Sequence, residues 1–280
     1  MKVLVRRFEE LSSMRFQVSG RIGIITLHRP RQRNALTQEM WKTLERWCDT
    51  IPAKTKLLII RGDGKDFTAG SDIKEFAELS PDAANEAFET MEGAIRAVEQ
   101  LSIPTIASIN GPAFGAGFIL SLACDLRIGS ENARFGMPVG KLGITLQTPF
   151  IRRMMQILGP SRTKQMVYTA LTYDAKQALQ VGILNELVPD QSLDNSTFAL
   201  AKKMLEQSQA SLSAVKQSVQ LVQDGEAEAE RSWVHPGDFV EGVRAFTEKR
   251  PTRFIMTQGA SSSISHSGGR HELSQRIDRN

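Results

Sequence analysis

Two glycine-rich stretches hold the residues best suited to chemistry. They are Phe67-Thr68-Ala69-Gly70-Ser71-Asp72-Ile73 and Asn110-Gly111-Pro112-Ala113-Phe114-Gly115-Ala116-Gly117. Each follows a β-like run and opens into a helix-like segment. Small residues permit tight turns there and leave backbone N–H groups uncovered. Two such groups aimed at one point hold a developing oxyanion, which is the need of thioester chemistry. The run Phe118 to Cys124 is apolar nearly all round and predicts a helix buried in the core. A helix start near Ala116 adds partial positive charge to the second turn. Taken singly, either turn also serves merely to join a strand to a helix.

The elements that must position these turns are legible as alternating strands and helices. Residues 22–27 are short, apolar and β-branched, as a strand requires. Thr37 caps a predicted helix from about Gln38 to Cys48, with Met40, Leu44 and Trp47 on one face. Lys56 to Arg61 reads as a buried strand, Ala83 to Leu101 as a helix and Thr105 to Ile109 as a strand. The alternation predicts an α/β fold. From Gly159 the pattern turns helical, with helices expected over Arg162 to Ala170, Tyr173 to Val181, Leu193 to Gln207 and Ser211 to Asp224. Residues 258–280 are polar and of low complexity, and read as a disordered tail without a site.

Bulk properties narrow the function further. The 280 residues are 41% hydrophobic, enough for a full core. A net charge of +4 and a pI of about 9.1 suit an anionic nucleotide-bearing ligand, and equally a solvated surface. No aromatic-interleaved basic stripe argues for nucleic acid. No apolar run is long enough for a bilayer, and the basic start Met1 to Arg7 has too short an apolar stretch for a signal peptide. Cys48 and Cys124 are far apart, and the latter sits in an apolar run, as a buried reduced thiol would. Nothing predicts a disulfide framework, and the four histidines make no metal spacing. Neither a strand–G-x-G-x-x-G–helix nor a Walker A motif occurs, so no nicotinamide, flavin or metal site is expected. The expected location is a reducing compartment, most simply the cytoplasm.

Eight pieces taken in order carry a family resemblance. They begin with one piece that combines Gly23 to Leu27 with Arg29-Pro30 and Asn34-Ala35-Leu36, continue through Phe67 to Phe76 and Ile103 to Gly117, and include Cys124 to Ile128, Ala133 to Pro138 and Leu142-Gly143-Ile144. Ala175 to Val188 and Glu241 to Arg250 complete the set. Together they resemble the enoyl-CoA hydratase/isomerase, or crotonase, superfamily over about residues 16 to 255. The resemblance implies a spiral of ββα repeats with an acyl-CoA site over 1–195, a helical trimerisation subdomain over 196–257, and the tail. It implies an acyl-CoA thioester as partner, no cofactor beyond its coenzyme A moiety, and a homotrimer or dimer of trimers.

The resemblance also assigns residues. Ser71 and Ala116 carry the catalytic N–H donors, while Gly115, Gly117, Ile119, Val139 and Gln147 belong to the substrate pocket. Ala35, Ala69, Asp72, Ile73 and Lys74 meet the CoA moiety, with Arg31 and Arg33 as candidates for its phosphates. Phe246 and Lys249 match positions that reach the adenine end, often in a neighbouring subunit. The Ser71 hydroxyl is read as a small group that fits, not a substrate ligand.

The chain departs from the family at two positions. The hydratases use two glutamates, whose places here fall on Ile119 and Val139. Aliphatic side chains move no protons, and losing one positioned acid–base group costs about 10²–10⁴-fold. Three readings follow. An enolate reaction that leans on the oxyanion hole, such as decarboxylation of a malonyl-type thioester, needs neither glutamate. The decarboxylase branch also has Val for Glu, but it carries a His at the Ser71 place and a Tyr at the Leu146 place. An isomerase or thioester hydrolase needs another base: Gln147 would only orient a water, Asp66 and Glu75 are expected to point outward, and Glu78 or Glu86 would have to reach in. The third reading is an acyl-CoA-binding module that has lost its chemistry.

Overall fold

A computed structural model describes residues 6–226 and 232–254. The predicted tail at 258–280 lies outside the described residues.

The chain opens with an antiparallel meander, β1 (Arg6–Leu11), β2 (Met14–Ser19) and β3 (Ile22–Leu27). Helix α1 (Gln38–Asp49) follows, and β4 (Leu57–Gly62) then pairs parallel to β3. A short α2 (Ile73–Phe76) and the long α3 (Pro81–Glu99) lead to β5 (Thr105–Ile109), parallel to β4. After β6 (Pro112–Phe114) and α4 (Ala116–Ala123) comes β7 (Leu126–Ser130), parallel to β5. Next are β8 (Arg134–Gly136), α5 (Thr148–Thr169), β9 (Thr172–Asp174), α6 (Ala175–Gln180) and β10 (Glu186–Val188). The large sheet runs β1-β2-β3-β4-β5-β7-β10, and a small one runs β6-β8-β9. Helices α7 (Leu193–Leu205), α8 (Gln209–Asp224) and α9 (Pro236–Thr247) follow.

The central strands read as continuous apolar runs because both faces of the sheet are covered. Alternation divides their side chains. Leu58 and Ile60 join Ile25, Leu27 and the buried faces of α1, α3 and α4 in the larger core. Leu57 and Ile59 join Ile24, Ile106 and Ile128 against Leu193 and Ala201 of α7 in the smaller one. Helix α1 obeys its pattern: Thr37 accepts from Met40 N at 3.2 Å, and Met40, Leu44 and Trp47 are buried. Cys48 and Cys124 are free and buried, and burial pushes both thiols up to about 12. They stay protonated and inert at neutral pH.

The helical readings need two corrections. Tyr173 does not begin a helix. Thr172–Asp174 pairs with β8, and helix α6 starts at Ala175 under an Asp174–Gln177 capping box. The segment Arg162 to Ala170 is the second half of α5, which begins at Thr148 and is broken at Gly159 (φ 70°, ψ 170°) ahead of Pro160. The described chain divides into two units, one ending at His235 and the other starting at Pro236. Within the second, Arg250 grips Glu241 bidentately at 2.7 and 2.9 Å. That guanidinium, together with the Arg253 N–H, holds the Glu241 carboxyl down at about 2.

One buried ion cluster ties α5 to α3. Arg153, 1% exposed, binds Glu92 at 2.7 and 2.9 Å and Glu99 at 2.7 and 3.1 Å. Removing one partner of a buried pair costs about 3–5 kcal/mol, because the other charge stays behind uncompensated. Arg153→Ala is therefore expected to lower the unfolding free energy by about that amount. Urea titration checks it; a loss below about 1 kcal/mol would mean that water already solvates both carboxylates.

Candidate active site

The first glycine-rich turn is held by the corner after β3. Arg33 (φ 52°) and Asn34 (φ 54°) are both left-handed, a conformation that Asn tolerates better than most residues. Asn34 is fully buried. Its Oδ1 accepts from Arg29 N at 2.9 Å, and its Nδ2 donates to Asp63 O at 2.8 Å and Asp66 O at 2.7 Å. Its carbonyl accepts from Thr68 Oγ1 at 2.7 Å, and that hydroxyl in turn accepts from Gly70 N at 3.0 Å.

These bonds determine which way Ser71 faces. Leu36 N donates to Gly70 O, and Asp72 N donates to Leu36 O, both at 2.8 Å. In such a parallel bridge Leu36 uses the neighbours of Ser71, so the Ser71 N–H is directed away from it. The Ser71 hydroxyl points inward, accepting from Trp41 Nε1 at 3.3 Å and lying 3.4 Å from Met91 Sδ. It is a packed small group, as the sequence reading held.

The second turn is stitched directly to the first. Thr68 N donates to Pro112 O and Phe114 N to Thr68 O, each at 3.1 Å, and Asn110 Nδ2 donates to Gly64 O at 2.6 Å. Two glycines make the contact possible. A Cβ on Gly70 (φ 98°) would stand 2.7 Å from Phe114 O and 3.2 Å from Ala116 N. A Cβ on Gly117 would stand 2.4 Å from Thr68 Cγ2 and 3.3 Å from Gly70 N. Ala116 is the first residue of α4, where N–H groups lack helical acceptors. Among the described residues neither the Ser71 N–H nor the Ala116 N–H has a protein acceptor.

Both residues line one cavity of about 350 Å³. Ala69, Gly70, Gly115, Ile119 and Val139 line it too, so the two residues expected from the resemblance at the glutamate places present hydrocarbon to this space. Met91, Met137 and Phe150 add apolar wall, and Thr172 and the cations Arg33 and Lys141 add polar groups. Among the described residues no carboxylate lines it. Arg33 is paired with Asp66 at 2.9 Å, and Glu75 accepts from Gln38 N at 2.8 Å, so neither acid beside the first turn is free. Glu78 and Glu86 are exposed and line neither this cavity nor the groove beside it.

Other predicted residues fall elsewhere. Gly117 is a packing glycine against Thr68, not pocket wall. Gln147 lines a second, larger groove beside the cavity. Ile73 lines both spaces. Asp72 is spent on Arg29 at 2.9 Å and on capping Lys74 N at 3.1 Å, and Lys74 is exposed. Ala35 is buried in the corner and gives its carbonyl to Arg29 at 2.7 Å. Arg31 is exposed. Phe246 and Lys249 belong to the second unit, with Phe246 86% exposed. Sequence reading did not assign Met91 and Phe88 of α3 to the site, although their spacing on one face of an amphipathic helix marks them as inward.

The chain is similar to known proteins over most of its length. The family model for enoyl-CoA hydratase/isomerase matches residues 17–256. A short-chain-enoyl-CoA hydratase of Clostridium acetobutylicum is 31% identical over 255 residues, covering 86% of this chain and 97% of that protein. The crystal structure of an enoyl-CoA hydratase/carnithine racemase from Magnetospirillum magneticum superposes with a TM-score of 0.84 at 27% identity, covering 89% and 97% of the two chains. A Thermobifida fusca protein solved in complex with CoA gives a TM-score of 0.70 at 28% identity, covering 85% and 90%.

Proline is tolerated at the first position of a helix, so Ala116→Pro deletes one free N–H while keeping α4. Removing such a donor costs about 10²–10³-fold in kcat. That loss is expected in steady-state turnover, with a thermal midpoint moved by only a few degrees. Unchanged turnover would show that this amide faces no reacting oxygen.

Proposed function

Because the chain belongs to the enoyl-CoA hydratase/isomerase family, we propose that it processes an acyl-CoA thioester through an enolate held by the Ser71 and Ala116 N–H groups. The observation that carries this reading is the pair of unspent amides on one cavity whose glutamate positions are Ile119 and Val139. The thioester oxygen accepts from both amides, and negative charge grows on it as the enolate forms. Each donor contributes about 3 kcal/mol in the transition state.

Decarboxylation is the reaction that suits this wall best. In a malonyl-type thioester the electrons of the breaking C–C bond pass into the carbonyl, leaving CO₂ and the enolate, and a solvent proton then completes C2. No side-chain base is required. Ile119, Val139 and Met137 offer a carboxylate no hydrogen bond, so its burial there is costly and its loss as CO₂ is favoured. The curated Clostridium relative is named a hydratase, yet hydration needs groups that deprotonate water and reprotonate carbon.

The helices past the sheet support self-association, and we assign the family's trimer, or dimer of trimers, to this chain. Val215, Val219 and Val222 are exposed at helical spacing on α8, and Phe239, Val240 and Val243 are exposed on α9. The boundary near residue 195 and the CoA-facing roles of Phe246 and Lys249 stand as parts of the same proposal. No helix among the described residues is long and apolar enough to cross a membrane. The reduced, buried cysteines support a reducing compartment, with the cytoplasm as the simplest.

Incubation with malonyl-type thioesters and with crotonyl-CoA, following CO₂ release and enoyl absorbance, tests the reading. CO₂ release is expected, with crotonyl-CoA hydration slower by a factor on the order of 10²–10⁴ or more. Efficient hydration by the wild-type protein would overturn it, and tight binding without turnover of any thioester would point to a binding module. A companion variant, Ile119→Glu combined with Val139→Glu, returns carboxylates to the cavity wall. It is expected to raise hydration about 10²-fold or more over wild type.

A further inference from the structure

Beside the inner cavity runs a groove of about 980 Å³. Every residue that lines both spaces is apolar, Phe76, Phe88, Leu146 and Phe150 among them. Phe76 and Phe88 meet edge to face with ring centroids 5.2 Å apart. Beyond this apolar stretch the lining changes character. Helix α3 turns Asn85, Glu89, Glu92 and Arg96 to the groove, spaced four, three and four residues apart, which places them on one helical face. The stripe is about 16 Å long at 1.5 Å per residue. Thr145 and Gln147 line the same groove from another segment of the chain.

The pairing within the stripe is informative. Glu92 gives both oxygens to Arg153. Among the described residues, Asn85, Glu89 and Arg96 make no side-chain hydrogen bond or ion pair, and the same holds for Thr145 and Gln147. Glu89 and Arg96 are two turns apart, too far to pair with each other. The groove therefore offers unspent donors and acceptors next to the apolar residues that it shares with the cavity. The charged residues that line it are Glu89, Glu92 and Arg96, and Glu92 shares Arg153 with Glu99, so the excess is slightly negative and disfavours an anionic tail. A hydroxyl both donates to Glu89 and accepts from an amide.

We propose that this groove takes the far end of the acyl chain, and that the preferred substrates are thioesters whose chain carries a hydroxyl group beyond an apolar segment. The inference rests on the acyl-CoA reading of the inner cavity. Ile73, Phe76 and Phe88 cover the apolar part of the chain, and Asn85 and Glu89 meet the hydroxyl.

The test is calorimetric titration of the full-length protein with paired ligands, a saturated acyl-CoA and its ω-hydroxy counterpart, over a ladder from short to long chains. Once the chain is long enough to pass the aromatic pair, the hydroxylated ligand is expected to bind about tenfold tighter, the usual yield of a hydrogen bond to a charged group. The difference between the paired ligands is expected to fall to about twofold or less in Glu89→Leu and in Asn85→Leu. Both are substitutions on the groove face of α3, and circular dichroism checks that each variant folds. Equal or tighter binding of the plain chain at every length overturns the inference, as does a hydroxyl preference that survives both substitutions. Tighter binding of an ω-amino chain overturns the assignment of a neutral tail. In each of these cases the acyl-CoA reading itself still stands. If neither series nor free CoA binds, the acyl-CoA reading falls and this inference falls with it.

Discussion

The site depends on the close approach of two turns that have no room for a side chain between them. A Cβ on Gly70 would stand 2.7 Å from Phe114 O of the second turn, and one on Gly117 would stand 2.9 Å from Thr68 O of the first, both too close. At Gly70 the backbone is also left-handed, which favours the same residue for a second reason. Fixed amide dipoles are useful only if they are aimed before the reaction begins, since reorienting them costs the energy that they would return. Here the aim is set by hydrogen bonds that fix the chain on either side of the two amides. Gly70 N goes to Thr68, Asp72 N to Leu36, Gly115 N to Gly136, and Phe118 N to Gly115. The amides of Ser71 and Ala116 are left over.

Around this cradle the fold separates polar work from apolar work. Buried Asn34 satisfies its amide entirely within the corner, so it pins the turn without bringing a charge of its own. The acids beside the first turn are also occupied, Asp66 by Arg33 and Glu75 by the start of α1. Farther out, Arg153 pairs with two glutamates where α5 packs on α3. The cavity is thus lined mainly by hydrocarbon and backbone, with Arg33 and Lys141 as its cations and no carboxylate among the described residues. Such a medium strengthens a fixed dipole and penalises an isolated carboxylate.

Much of this was legible in the sequence. Short apolar runs marked β3, β4 and β5, one apolar face marked α1, and Thr37 caps that helix. The glycine-rich turns declared themselves through residue types that few other conformations require. Other features were less visible. Thr172–Asp174 carries a local pattern continuous with a helix, and only pairing with β8 makes it a strand. Gln147 and Gly117 lie within a few residues of true lining positions, but the path of the chain turns one toward the outer groove and the other into a backbone contact. The inward turn of the Ser71 hydroxyl follows from Trp41 and Met91, which are distant in sequence.

By itself, the sequence determined that strands and helices alternate, that two glycine turns lead into helices, and that residues 119 and 139 are aliphatic. These are properties of residue type and local spacing, and folding does not alter them. Tertiary structure alone decided that the two turns touch, which of their amides stay unspent, and that the same apolar residues line both the cavity and the groove along α3. An amide is free only when every competing acceptor is elsewhere. That is a fact about all the neighbours at once, and those neighbours come from segments as far apart as Asn34, Thr68, Pro112 and Gly136.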